Sequence, residues 1–204
     1  QYKNDKVIRF NSRFESGSLM YAYKLSLDVY HCIINNDYSP NGQCQWFYFQ
    51  MSNIQLIPNS NRKTTFFITG FNKSSSVLSN GGKVFMYSER LAREKKISWH
   101  RTGTNYSYGI SFKPNSSPIL YPNSNRKKKQ CDYYTLQFQI SFPYDNDTVY
   151  LCYGMPYTYF TLNAYISKWV STAPLQVTQS TLCQTKGGKN CPLITITSTN
   201  SPSP

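Results

Sequence analysis

The sequence predicts an all-β fold: an antiparallel β-sandwich with one or two short helices. Three observations lead there. Gln45-Trp46-Phe47-Tyr48-Phe49-Gln50-Met51 packs four aromatics into seven residues without a charge, glycine or proline, which suits a pleated, buried surface. Two longer runs alternate apolar and polar residues with period two: Tyr21, Tyr23, Leu25, Leu27 and Val29 in one, and Tyr134, Leu136, Phe138, Ile140 and Phe142 in the other. That alternation marks a strand with one buried face. Between such runs lie segments rich in Asn, Ser, Pro and Gly, which turn a chain rather than extend it.

In order, Val7–Phe10 reads as a short strand and 11–19 as a polar turn. Tyr21–Val29 reads as a half-buried strand, with His31 on its apolar parity; a lone His there is expected to be a hydrogen-bonded core residue rather than a ligand. After the loop 35–43 comes the aromatic strand. Phe47, Phe49 and Met51 share its core side. Trp46, Tyr48 and Gln50 share the other, which is broad and amphipathic enough to need a neighbour outside the sandwich. Further strands are expected at 64–71, 84–87 and, around Trp99, within 97–112. Ser88 suits a helix N-cap, Glu89 the first turn, and Lys95 and Lys96 the C-terminal end.

Residues 113–130 read as a long loop ending in Arg126-Lys127-Lys128-Lys129. Tyr134–Phe142 is the clearest strand, stopped by Pro143, and Val149–Tyr153 is expected to return as its partner. From Thr158, a plausible N-cap, the period changes. Leu162, Ile166, Trp169 and Val170 fall on one helical face, and Pro174 follows that helix. Residues 177–198 read as a hairpin turning at Lys186-Gly187-Gly188-Lys189, with Cys183 and Cys191 symmetric about Gly187.

The chain has 204 residues and a net charge of +13, from 22 Lys and Arg against nine Asp and Glu. Such a balance points to an acidic partner: nucleic acid, an anionic membrane surface or an acidic polypeptide. Compositional bias is the bland alternative, because Lys, Asn, Tyr and Ser are all abundant. No apolar run approaches the ~20 residues of a transmembrane helix. The start at Gln1 and the linker-like end 199–204 lead to the expectation of a piece of a longer protein. Six cysteines without a CxxC suggest free thiols in a reducing compartment rather than zinc or a disulfide framework. Four sequons, at Asn72, Asn105, Asn115 and Asn146, keep a secreted reading open as a minority view.

Six stretches resemble, in order, the cytosolic carboxypeptidases, the protein-deglutamylase branch of the zinc metallocarboxypeptidases. They are Ser12-Arg13-Phe14-Glu15-Ser16-Gly17, Gln45-Trp46-Phe47-Tyr48-Phe49, Trp99-His100-Arg101-Thr102-Gly103, Tyr133-Tyr134-Thr135-Leu136, Met155-Pro156-Tyr157-Thr158-Tyr159, and Leu182-Cys183-Gln184-Thr185 with Pro192–Thr197. The sequence departs from the family at Gly81-Gly82, at Leu151-Cys152 and in the basic loop 122–130.

The resemblance implies an N-terminal β-sandwich domain, 1–172, followed by 173–204 as linker and opening hairpin of a truncated α/β zinc carboxypeptidase domain. It implies that the parent removes C-terminal or side-chain glutamates from proteins such as tubulin, with zinc as the parent's cofactor and a cytoplasmic, microtubule- or cilium-associated location. The family's first zinc motif is expected downstream of this sequence.

Only His31 and His100 occur, neither in a His-x-x-Glu or His-Glu-x-x-His pattern. No catalytic or metal residue is therefore assigned here, and this segment alone is expected to be silent. Acidic tails are expected to meet Arg62, Lys63, Arg126, Lys127, Lys128 and Lys129 first, then Arg90, Arg93, Lys95 and Lys96. For each of these a solvated surface is the alternative. Trp46, Tyr48, Tyr157 and Tyr159 are expected to pack between the sandwich and the downstream carboxypeptidase domain rather than to line a ligand groove. The competing function is a free-standing basic module for nucleic acid or a membrane surface; the absence of a helix-turn-helix, RRM or zinc-finger signature disfavours it.

Overall fold

The computed structural model of the chain describes residues 7–37, 43–56, 63–111 and 133–198. It divides into two compact units, 1–156 and 157–204.

The first unit is a two-sheet sandwich. One sheet is built from β1 (Arg9–Asn11), β4 (Tyr48–Ser52), β6 (Phe85–Ser88), β7 (His100–Arg101) and β10 (Val149–Cys152), in the order β1-β4-β10-β6-β7. The other is built from β2 (Tyr21–Ser26), β3 (Val29–Ile33), β5 (Thr64–Phe71), β8 (Thr104–Ile110) and β9 (Tyr134–Ile140), in the order β2-β3-β5-β9-β8. Their inner faces form one hydrophobic cluster. Phe47, Phe49, Met51 and Leu151 are fully buried from the first sheet, and Phe66, Ile68, Leu136 and Phe138 from the second. The aromatic run therefore divides as expected, with Phe47, Phe49 and Met51 in the core, although regular pairing begins at Tyr48 rather than Gln45.

The return strand β10 does not pair with β9, as its place in the sequence suggested, but crosses to the opposite sheet and lies between β4 and β6. Pairing within the sheets is antiparallel with one exception: β3 and β5 run parallel. Parallel neighbours need a crossover, and here the chain makes it through β4, which lies in the opposite sheet. The β5 strand stays continuous across a register shift between Thr69 and Phe71, where Gly70 takes a φ of 119° that a side chain would resist.

The run 21–29 is not one half-buried strand but a hairpin, reversing at Leu27 and Asp28, the latter at φ 57°. Register decides its faces. Ala22 and Lys24 lie opposite buried Cys32 and Tyr30, so Tyr21, Tyr23 and Leu25 point outward and are exposed. An edge strand takes its inward parity from its neighbour, and periodicity alone misassigned it. His31 lies on the same outer face. It is hydrogen-bonded through Nδ1 to the Tyr23 hydroxyl at 2.6 Å and through Nε2 to Thr69 Oγ1 at 2.6 Å.

The helix α1 (Glu89–Lys95) follows β6 directly. Ser88 caps it, its hydroxyl accepting from the Leu91 amide, and Lys96 ends it in the left-handed conformation.

The second unit holds α2 (Tyr159–Thr172), capped by Thr158, and the hairpin of β11 (Val177–Gln184) and β12 (Asn190–Ile196). Ile166 is buried, but Trp169, placed on the same face by sequence, is 46% exposed. Cys183 and Cys191 are cross-strand partners and both are free thiols. No described helix is long and apolar enough to cross a membrane.

Candidate functional site

The outer face of the first sheet carries an aromatic surface. Side chains alternate along a strand, so Tyr48 on β4, Tyr150 on β10 and Tyr87 on β6 point away from the core that Phe49, Leu151 and Met86 fill. Pairing then aligns them: Tyr150 lies opposite Tyr87, and the Tyr48 ring centroid is 6.2 Å from that of Tyr150.

The turn 12–17 adds Phe14. Ser16 adopts φ 63°, the Gly17 amide donates to the Phe14 carbonyl at 2.9 Å, and a Cβ on Gly17 would meet the Ser12 carbonyl oxygen at 2.2 Å. Glycine is thus required for the turn to close. The Trp46 indole Nε1 donates to the Ser16 carbonyl at 2.7 Å, fastening the turn to the sheet. Phe14 then stands edge-on to Tyr48 at 4.8 Å and to Tyr150 at 5.9 Å.

Trp99, from the segment between α1 and β7, closes the opposite side. Its ring lies 5.8 Å from Tyr48 and 5.4 Å from Tyr87. These rings, with Glu15 and Glu89, line a cavity of about 470 Å³. Tyr150 donates its hydroxyl to Glu89 Oε1 at 3.1 Å. Burial, and then that carboxylate, push the Tyr150 hydroxyl up to about 12, so it stays a donor at neutral pH.

Of the residues singled out from sequence, Trp46 and Tyr48 meet here, with ring centroids 6.4 Å apart. Tyr157 and Tyr159 belong to the second unit, where Tyr157 stacks on Tyr165 at 6.5 Å and the Tyr159 hydroxyl donates to the Asn190 carbonyl at 3.1 Å. Lys63 is exposed and its Nζ donates to Thr104 Oγ1 at 3.2 Å. Arg90 pairs with Glu94 at 2.7 Å and lies 4.5 Å over the Tyr144 ring. Arg93, Lys95 and Lys96 are exposed on α1 and its cap. Arg62, Arg126, Lys127, Lys128 and Lys129 lie outside the described residues.

Sequence reading missed Phe14, Tyr87, Glu89 and Tyr150 as members of one site. The available signal was parity: each tyrosine alternates with a core residue on its strand.

Among the described residues no group of three or more His, Cys, Asp or Glu comes together. They do not fit a catalytic zinc, which needs about three protein ligands. The His100 ring turns to its own segment, with Nδ1 3.0 Å from the Ser98 carbonyl.

No protein-family profile matches the chain. Cytosolic carboxypeptidase 1 of Xenopus laevis is 36% identical over 194 residues, 94% of this chain and 15% of that protein. Cytosolic carboxypeptidase 4 of Homo sapiens is 36% identical over 194 residues, 93% of this chain and 16% of that protein. The chain therefore spans only about a sixth of the length of these relatives. In fold it is similar to a metallo-carboxypeptidase from Burkholderia cenocepacia, with a TM-score of 0.56 and 16% identity over 96% of this chain and 41% of that one.

Proposed function

The chain belongs to the cytosolic carboxypeptidase family, and we propose that it is the scaffold and substrate-recognition part of a zinc metallocarboxypeptidase. In this reading residues 1–172 form the N-terminal sandwich domain and 173–204 lead into the catalytic domain, which carries the zinc. The parent trims C-terminal or side-chain glutamates from proteins such as tubulin, and it works in the cytoplasm at microtubules or cilia. The observation that carries the reading is identity of 36% across 94% of the chain with a cytosolic carboxypeptidase.

The second unit gives physical support. A two-stranded hairpin is marginal by itself, yet this one exposes Leu182, Leu193 and Ile196, and Leu175 precedes it at 81% exposure. Apolar side chains in that number suit the first strands of a larger sheet rather than a solvated ribbon.

Recognition rests on charge. A glutamylated tail is dense in carboxylates, and the chain carries +13. Lys63 with Arg62, the run Arg126–Lys129, and Arg90, Arg93, Lys95 and Lys96 would raise the local concentration of such a tail and speed its encounter. Trp46, Tyr48, Tyr157 and Tyr159 would bury area against the catalytic domain. The reading is tested by zinc-dependent release of glutamate from a glutamylated tail peptide by the parent polypeptide.

A further inference from the structure

We propose that the aromatic cavity on the first sheet receives the guanidinium of an arginine carried by the part of the parent polypeptide outside this chain. The proposal rests on the reading above and names the chemistry of one domain contact.

The walls are five rings: Phe14, Tyr48, Tyr87, Trp99 and Tyr150. Their neighbours meet tilted or edge to face, at 67° for Tyr48 and Trp99 and 61° for Tyr87 and Tyr150. Such rings offer negative faces to a cation. The remaining two lining residues are Glu15 and Glu89. Two of only nine acidic residues in a chain of charge +13 thus line one cavity.

That combination favours a cation over the acidic tail proposed as substrate, because its two exposed carboxylates repel like charge. The cavity is therefore assigned a different role from the basic residues proposed to meet the tail. Arginine fits better than lysine. Its planar group stacks on rings while its fork of donors reaches carboxylates, and it is shed from water more easily. The same sheet already shows the contact: Arg101 lies 5.1 Å over Phe85, two residues before Tyr87 on β6.

The source follows from proportion. This stretch is 15% of the frog relative and 41% of the solved bacterial chain, so most of each polypeptide lies elsewhere and is tethered to it. A tethered arginine meets the cavity at high effective concentration.

The experiment titrates N-acetyl-arginine amide into the 204-residue chain and, in parallel, into the parent polypeptide, following tryptophan fluorescence. N-acetyl-citrulline amide is the neutral isostere. The chain should show a saturable change that disappears in Trp99→Phe, weakens about tenfold in Glu89→Gln, and is absent with citrulline. Glu15→Gln serves as the second variant if Glu89→Gln lowers the melting temperature. The parent should not respond, because its own arginine fills the site. An equal response to citrulline, or none from the chain, overturns the cation site. A parent that responds like the chain overturns the intramolecular source. Failure of glutamate release by the parent would instead strike the enzymatic reading and would leave the titration standing.

Discussion

Ser88 Oγ donates to Asp147 Oδ2 at 2.5 Å, and both residues are buried. The same Ser88 oxygen accepts from the Leu91 amide at 2.9 Å, while Asp147 Oδ1 accepts from the Arg90 amide at 3.1 Å and the Thr148 amide at 2.8 Å. One buried carboxylate thus joins the start of α1 to the turn before β10, and so fixes Glu89 beside Tyr150.

Asp147→Ala removes the acceptor for three donors. It should cost about 2–3 kcal/mol, read as a lower urea midpoint at unchanged slope. Ser88→Ala should cost about 1–2 kcal/mol, the ordinary loss of an N-cap with one further hydrogen bond. Midpoints unchanged in both variants would remove this contact from the stability of the fold.

Phe49 is fully buried, with ring neighbours Phe10 at 5.7 Å and Phe47 at 6.0 Å. Phe49→Ala should destabilise by about 3–5 kcal/mol, from lost burial plus the cavity left behind. Thermal or urea unfolding measures it. A loss under about 1 kcal/mol would mean that the sheets close over the gap more completely than a packed core allows.

His31 makes stability depend on pH. Burial lowers its pKa from the ordinary value of 6.5. The unfolded chain therefore binds a proton more readily than the folded one. The contribution of neutral His31 is complete above pH 6.5 and is lost as pH falls through the lower folded value. The ring is also held by Tyr23 and Thr69, and a proton forces both of its nitrogens to donate. Urea midpoints from pH 8 down to pH 5 should fall more steeply in the native chain than in His31→Gln. Parallel profiles would contradict this.

The basic run has an electrostatic prediction. Replacing Arg126, Lys127, Lys128 and Lys129 with Gln should slow association of a polyglutamate peptide and flatten its dependence on salt, since exposed charges act within a Debye length of about 8–10 Å. Stopped-flow association at two salt concentrations is the measurement. Unchanged rates and slopes would exclude the run from tail recognition.

The core was legible where its strands alternate cleanly, as in β4 and β9. Leu136, Phe138 and Ile140 are buried as their parity demands. So were the N-caps Ser88 and Thr158, whose short polar side chains sit ahead of helical residues, and the pairing of Cys183 with Cys191. The hairpin at 27–28 was not, because Tyr21–Val29 keeps its period through a turn made by Asp28 at positive φ, with neither Gly nor Pro to mark it. The parallel β3–β5 pair was hidden for a different reason: it depends on β4 leaving for the other sheet. The aromatic cavity was half legible. Tyr48 announces itself in the aromatic run, but Phe14, Tyr87, Trp99 and Tyr150 come from four separate segments that only the folded sheet and its flanking turns bring together.

The most direct measurement is free glutamate, followed by mass spectrometry, when the purified parent polypeptide meets a polyglutamylated tail peptide with and without a zinc chelator. The account predicts stepwise loss of glutamate that the chelator stops and added zinc restores. A folded parent that releases none, or releases it undiminished under chelation, would contradict it.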